Sequence, residues 1–278
     1  MSVLAVNNLC KKYDRFELDN VSFALEQGTI TGFIGRNGAG KTTTLKALLN
    51  FVHPDGGEIL FFGKSFKVSE FEIKQKIGFV AGGINYYPKK KIKTITATTR
   101  RFYEKWDEQA YQHYMERFAL DENKTPDELS EGMKVKYSLV LALSHHAELL
   151  ILDEPTSGLD PISRDDLLDV FLGLAKDGIT ILFSTHITSD LDKCADNIIY
   201  IQHGKVLADS NIESFLAQYK VMEFSDEHLS DDLRSKLIGY KPIKHGYSAL
   251  IKSIDVNNID EKVTDADLES IMIHLEKE

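Results

Sequence analysis

Over roughly the first 200 residues, short apolar runs of strand length alternate with stretches whose apolar residues recur at helical spacing. Thr29 to Ile34 is β-prone and runs into a glycine; Thr42 to Phe51 follows with Leu45, Leu48 and Leu49 on one helical face. Leu149 to Leu152, Ile179 to Phe183 and Ile198 to Ile201 are unbroken apolar runs, the pattern of strands buried on both faces. Strand and helix in alternation predict an α/β fold on a largely parallel sheet. Leu4 to Leu9 and Val21 to Leu25 alternate apolar with polar instead, which predicts a small antiparallel β layer.

Between residues 84 and 145 the pattern turns mostly helical. Trp106, Ala110, Tyr114 and Phe118 recur every four positions, the stripe of a packed helix face. Asp160-Pro161 reads as an N-cap with proline at the first helical position, opening a helix that carries Leu167, Leu168, Phe171 and Leu174. After Gly204 the character changes to a small β/α unit. Val221 to Phe224 and Ala249 to Ile251 are its strands, separated by polar helix-like sequence. Its last helix starts near Thr264 and buries Leu268, Ile271, Met272 and Leu275.

Composition narrows the functions such a chain can have. A net charge of −10 disfavours a broad nucleic-acid surface, since phosphate binding needs clustered Lys and Arg. Cys10 and Cys194 stand far apart in no metal-ligand spacing, which favours a reducing compartment. Met1 to Asn8 lacks the basic and apolar segments of a secretory signal. No apolar run approaches the ~20 residues a spanning helix needs, so work at a membrane would require a partner.

Two sites carry chemistry. Gly35-Arg36-Asn37-Gly38-Ala39-Gly40-Lys41-Thr42 fits the phosphate-loop spacing and sits between a strand and a helix, as its physics requires. Glycines let successive backbone N–H groups turn toward phosphate oxygens, and the helix N-terminus adds partial positive charge. Lys41 would reach the outer phosphates and the Thr42 hydroxyl a Mg²⁺ ion, with Thr43 beside it. The second site is Asp153-Glu154, two carboxylates ending the apolar run Leu149 to Leu152. Strand ends deliver side chains to the ligand crevice of such sheets. Asp153 is placed to hold Mg²⁺, and Glu154 to polarise the water that attacks the γ-phosphate.

In this order the motifs resemble those of the ABC ATPase family across residues 1 to roughly 210. Leu129-Ser130-Glu131-Gly132-Met133 resembles the family signature and precedes the acidic strand. Ser157-Gly158-Leu159-Asp160 resembles the loop that meets an opposite subunit, Ser184-Thr185-His186 the switch-histidine segment, and Tyr13 the ring against adenine. The resemblance implies a P-loop NTPase fold of the ABC ATPase type. Its ATPase domain would span residues 1–211, with a helical subdomain at about 84–145 inserted, and residues 212–278 would form a small accessory domain.

The resemblance also implies ATP and Mg²⁺ as cofactors. Lys41, Glu154 and His186 would be catalytic, and Thr42 and Asp153 would be metal ligands. Tyr13, Gly35, Asn37, Gly38, Ala39, Gly40, Lys41, Thr42 and Thr43 would contact nucleotide, with Ser130 and Gly132 reaching the γ-phosphate held by a second subunit. The chain would pair as a homodimer or heterodimer at the cytoplasmic face of the cell membrane, drive a separate transmembrane permease, and bind no nucleic acid.

Departures from the family pattern qualify these expectations. Gly82 and Gly83 occupy the slot where the family carries a glutamine, and Glu131 and Met133 replace glycine and glutamine in the signature. Glu131 is expected to face away from the phosphate. Phe102 to Asp107 and Gly132 to Lys136 resemble Gram-positive ABC-2-type exporter ATPases, including antibiotic-response and toxin-peptide exporters. The basic, aromatic run Tyr86 to Lys93 is read either as a contact for the membrane partner or anionic headgroups or, equally, as a solvated charged turn. A catalytically weak regulatory subunit and a non-transport ABC ATPase stand as alternatives. A single phosphate loop, no heptad run and the negative charge speak against the latter.

Overall fold

The computed structural model describes residues 2–81, 87–225, 231–256 and 262–277. Its contacts divide into two compact units, Met1–Asp209 and Ser210–Glu278.

The first unit opens with β1 (Ser2–Tyr13) and β2 (Phe16–Glu26), an antiparallel pair, and continues through β3 (Ile30–Ile34), α1 (Lys41–Leu48), β4 (Gly56–Phe61), β5 (Lys64–Ser65) and α2 (Phe66–Lys74). Then come β6 (Ile77–Ala81), α3 (Ile92–Thr99), α4 (Glu108–Arg117), α5 (Glu131–Ser144), β7 (Leu149–Asp153), α6 (Pro161–Lys176), β8 (Thr180–Thr185), α7 (Thr188–Cys194), β9 (Asn197–Gln202) and β10 (Lys205–Asn211). β2, β1, β4 and β5 form the antiparallel layer, and the second sheet runs β10-β9-β3-β8-β7-β6. In that sheet β6, β7, β8, β3 and β9 pair in parallel.

The unbroken apolar runs are central strands, as their sequence predicts. Every residue of β3 and β8 is buried, and Leu149 to Leu152 of β7 are 0% exposed. Each such side chain contributes about 1.5–3 kcal/mol relative to an exposed one, which fixes the sheet's register firmly. That register matters for chemistry. It sets Ile34 beside Thr185, Asp153 beside Ser184 and Ala81 beside Asp153, so four strands end along one edge. The slot at Gly82 and Gly83 lies outside the described residues.

The helical region differs from expectation in phase. α4 starts after Trp106, with Asp107 as its cap accepting from the Ala110 N–H at 3.0 Å. Its buried face is Tyr111 and Met115, continued by Phe118, while Trp106, Ala110 and Tyr114 are only half-buried. The four-residue stripe sat one position off because a regular helix needs alternate steps of three and four. Inside, the buried Tyr137 hydroxyl donates to the Ile92 carbonyl at 3.0 Å and shares a 2.8 Å bond with Thr96, tying α5 to α3.

α1 also ends earlier than its apolar spacing suggests. Leu49 closes it, and Asn50 adopts a left-handed φ of 59°.

The second unit contains α8 (Ile212–Leu216), β11 (Tyr219–Phe224), α9 (Asp231–Arg234), β12 (Ile238–Ile243), β13 (Gly246–Lys252), β14 (Lys262–Asp265) and α10 (Leu268–Leu275). Its four-stranded sheet is ordered β12-β13-β11-β14. Val221 to Phe224 and Ala249 to Ile251 fall in neighbouring antiparallel strands. The polar stretch between them contains β12 as well as a short helix, and residues around Thr264 form a strand rather than the start of the last helix. α10 begins instead after Asp267, which caps it through the Ser270 N–H at 2.7 Å. It buries Leu268, Ile271, Met272 and His274, leaving Leu275 half-buried. Among the described residues, no helix is long and apolar enough to cross a membrane.

Candidate functional site

The loop from Gly35 to Gly40 leaves β3 at the shared strand edge and enters α1. Gly35 has a φ of 155°, and a Cβ there would lie 2.2 Å from the Ile201 carbonyl oxygen, so only glycine fits. Gly40 turns into the helix at a φ of 119°, where any other side chain would be strained. Ala39 is buried beneath the loop. Lys41 is 5% exposed and curls back, its Nζ donating to the Gly35 carbonyl at 2.7 Å. A buried ammonium held by the loop it follows is a preformed cation facing the loop's interior.

β7 and β8 supply the opposing carboxylates. Ser184 Oγ donates to Asp153 Oδ1 at 2.6 Å and accepts from the Glu154 N–H at 3.0 Å. Thr42 Oγ1 lies 3.4 Å from the same Asp153 oxygen. Glu154 adopts a left-handed φ of 51°, strained for a non-glycine residue. The turn aims its carboxylate at the Lys41 ammonium and the His186 ring. Oε1 lies 3.5 Å from Lys41 Nζ, and Oε2 lies 2.7 Å from His186 Nδ1.

Between these groups is a cavity of about 630 Å³. Asn37, Gly38, Gly40, Lys41, Thr42, Thr43, Glu154 and His186 line it, together with Arg15, Phe16, Arg36 and Ser157. Tyr13, expected against adenine, does not line it. Its half-exposed ring stands 6.5 Å from that of Phe16, which does. Arg15, in the turn between two strands, and Phe16, which opens the second, were missed because sequence alone gives no sign there of facing a ligand. Gly35 and Ala39 form the loop's floor.

The model of the family described as ABC transporter matches residues 18–157. The bacitracin transport ATP-binding protein BcrA of Bacillus licheniformis is 32% identical over 234 residues, which is 82% of this chain and 76% of that one. The chain belongs to the ABC transporter family. The Nod factor export ATP-binding protein I of Burkholderia orbicola (strain AU 1054) is 34% identical over 217 residues, 75% of this chain and 71% of that one. A solved ATP-binding subunit of an ABC transporter superposes with a TM-score of 0.70 at 26% identity, covering 78% of this chain and 92% of that one. The chain is thus an ABC ATPase, the ATP-binding subunit of such a transporter.

In this ABC ATPase the signature residues stand apart from the chain's own phosphate loop. Ser130 is exposed and caps α5, accepting from the Met133 N–H at 3.3 Å. Gly132 is buried against Leu159 and Ser163. Neither lines the 630 Å³ cavity. Glu131 pairs with Lys134 at 2.6 Å and, with Asp153 and Glu154, borders a second cavity of about 300 Å³. Asp160 caps α6, accepting from Ile162 and Ser163 N–H groups, and these bonds with the Ser163 side chain hold its carboxyl below the usual range.

In the basic run after the glutamine slot, Lys91 acts on two nearby acids, Asp121 and Glu128. Lys89, Lys90 and Lys91 are exposed. Asp121 and Glu128 are held below the usual carboxylate range, chiefly by the Asn123 and Thr125 N–H groups, and Lys124 and Lys91 add to it. A more apolar feature lies at the end of β6. Phe51 and Phe79 meet edge to face at 5.8 Å, Phe51 being 62% exposed. Gln75 links Phe71 and Phe102, both largely exposed, through bonds to their carbonyls.

Proposed function

We propose that this ABC ATPase powers an exporter of peptides or of antimicrobial and toxic compounds. The observation that carries its catalytic part is the convergence of Lys41, Glu154 and His186 on one cavity whose floor is the phosphate loop. Lys41 neutralises charge on the outer phosphates of ATP. Glu154 orients the attacking water and accepts its proton, while His186 holds the Glu154 carboxylate and contacts the γ-phosphate. Tyr13 and Phe16 offer rings to the adenine. The hydroxyl of Thr42 and the carboxylate of Asp153 are hard oxygen donors side by side, a set suited to Mg²⁺, which would neutralise phosphate charge when bound.

On this reading two cassettes close head to tail, and the exposed Ser130 with the α5 N-terminus completes the partner's site. Closure on ATP and release after hydrolysis make a ligand-driven two-state device. The exporter reading draws support from the relatives that transport bacitracin and export Nod factor. The exposed aromatic residues Phe51, Phe79, Phe71 and Phe102 suit a membrane-embedded partner at the cytoplasmic face.

Gel filtration of the Glu154→Gln protein with and without ATP tests the closure. An ATP-dependent dimer supports it, and a monomer under saturating ATP overturns it.

A further inference from the structure

Behind the cavity, three segments meet at a carboxylate that the chemistry above does not use. Asp190, on α7, is fully buried. Its Oδ2 accepts a 2.6 Å hydrogen bond from the hydroxyl of Thr156, also fully buried, two residues beyond Glu154. Its Oδ1 faces Arg164 Nε of α6 at 3.8 Å. Four residues before Asp190 stands His186. Asp190 therefore touches the turn that aims Glu154 and belongs to the helix that follows His186, with Arg164 bracing it from a third element.

Burial raises the Asp190 pKa. The Thr156 bond and the Arg164, His186 and Glu154 charges act on it as well. A carboxylate taken out of water at that cost needs paired and hydrogen-bonded partners, and it holds them in place in turn. Here the fixed quantity is the relation between Glu154 and His186. Glu154 sits at a left-handed φ of 51°, and a strained turn keeps its geometry only if its surroundings over-determine it. The Ser184 hydroxyl and carbonyl hold its N–H, and Thr156 holds the next part of the turn to α7.

We propose that Asp190 is a positioning residue for ATP hydrolysis, acting through Thr156 to keep Glu154 and His186 in register. The proposal rests on the catalytic reading of Glu154 and His186. Thr156→Val removes the donor with little change of shape, whereas Thr156→Ser keeps it. Displacing a reacting group by a fraction of an ångström lowers turnover without changing nucleotide contacts, so Thr156→Val is expected to reduce kcat roughly tenfold to hundredfold. The KM for ATP stays within about twofold of the parent protein. Thr156→Ser restores most of the rate. In a His186→Ala background, Thr156→Val adds little further loss, because the relation it protects is already gone.

Steady-state ATPase kinetics of the full chain, below the melting transition of every variant, decide it. Unchanged kcat in Thr156→Val, a raised KM with kcat retained, or full additivity with His186→Ala would overturn the role. Asp190→Leu removes the acceptor for Thr156 at similar volume, and serves if Thr156→Val does not fold. It is expected to lose kcat at constant KM, and parental kinetics there count equally against the proposal. Glu154→Gln is assayed alongside. Normal turnover in that variant overturns the catalytic reading itself, whereas lost turnover there with intact Thr156→Val overturns Asp190's role alone.

Discussion

His186 Nδ1 lies 2.7 Å from Glu154 Oε2, while the other Glu154 oxygen lies 3.5 Å from Lys41 Nζ. One carboxylate at the end of β7 thus joins the first residue of α1 to the histidine that follows β8. Its two oxygens are oriented by different partners, so it is fixed in rotation as well as position. Removing charge from either side has distinct consequences.

Glu154→Gln keeps the shape and the hydrogen-bonding contact with His186 but removes the proposed proton acceptor. Turnover falls roughly hundredfold or more, with ATP still bound. Steady-state phosphate release together with binding of a fluorescent ATP analogue separates the two effects.

Lys41→Ala acts on binding instead. It deletes the cation proposed to meet the phosphates and leaves the Gly35 carbonyl without its partner. Nucleotide affinity drops roughly tenfold to hundredfold, as expected for one charge-assisted contact. Titration calorimetry with ATP measures it.

His145 gives the fold a pH dependence. Its ring stacks on Tyr103 at 3.7 Å and its Nδ1–H donates to the Gln75 carbonyl at 3.1 Å. Burial, outweighing the help of that bond, pushes its pKa down from 6.5 to about 4. The folded state therefore holds it neutral while the unfolded chain takes up a proton. Its contribution is complete above pH 6.5 and is lost as pH falls toward 4, on the order of 3 kcal/mol in all. Melting temperatures of the parent protein and His145→Gln should diverge less at pH 5 than at pH 7.5.

The exposed aromatic pair and the basic run make separable claims about the membrane partner. Phe51→Ser with Phe79→Ser should cut recovery of the partner while leaving the ATPase rate of the isolated chain unchanged. Charge reversal at Lys89, Lys90 and Lys91 should weaken membrane recruitment less, because Asp121 and Glu128 already offset the charge of Lys91. Flotation with liposomes containing the partner compares them.

Much of this was legible in the chain. The central strands announced themselves because full burial leaves no polar position in Leu149 to Leu152. The phosphate loop and Asp153-Glu154 were legible because their chemistry demands fixed residue types at fixed spacing beside a strand. What escaped depends on tertiary neighbours. Phe16 borders the cavity only because the β1–β2 turn folds over the loop, and Thr156 and Asp190 meet across 34 positions of sequence. The stripe through Trp106 was misphased because it kept a constant step of four, whereas the buried face runs through Tyr111, Met115 and Phe118. β12 was unreadable because Lys241 and Pro242 interrupt its apolar pattern.

The central claim is that this ATPase drives a membrane-spanning partner. Tagged Glu154→Gln protein, purified from its native cells with ATP present and analysed by mass spectrometry, tests it most directly. The account predicts recovery of a protein with several membrane spans, in stoichiometric amount and lost when Phe51 and Phe79 are changed to serine. Recovery of ribosomal or DNA-associated proteins alone, with no membrane subunit, would contradict it.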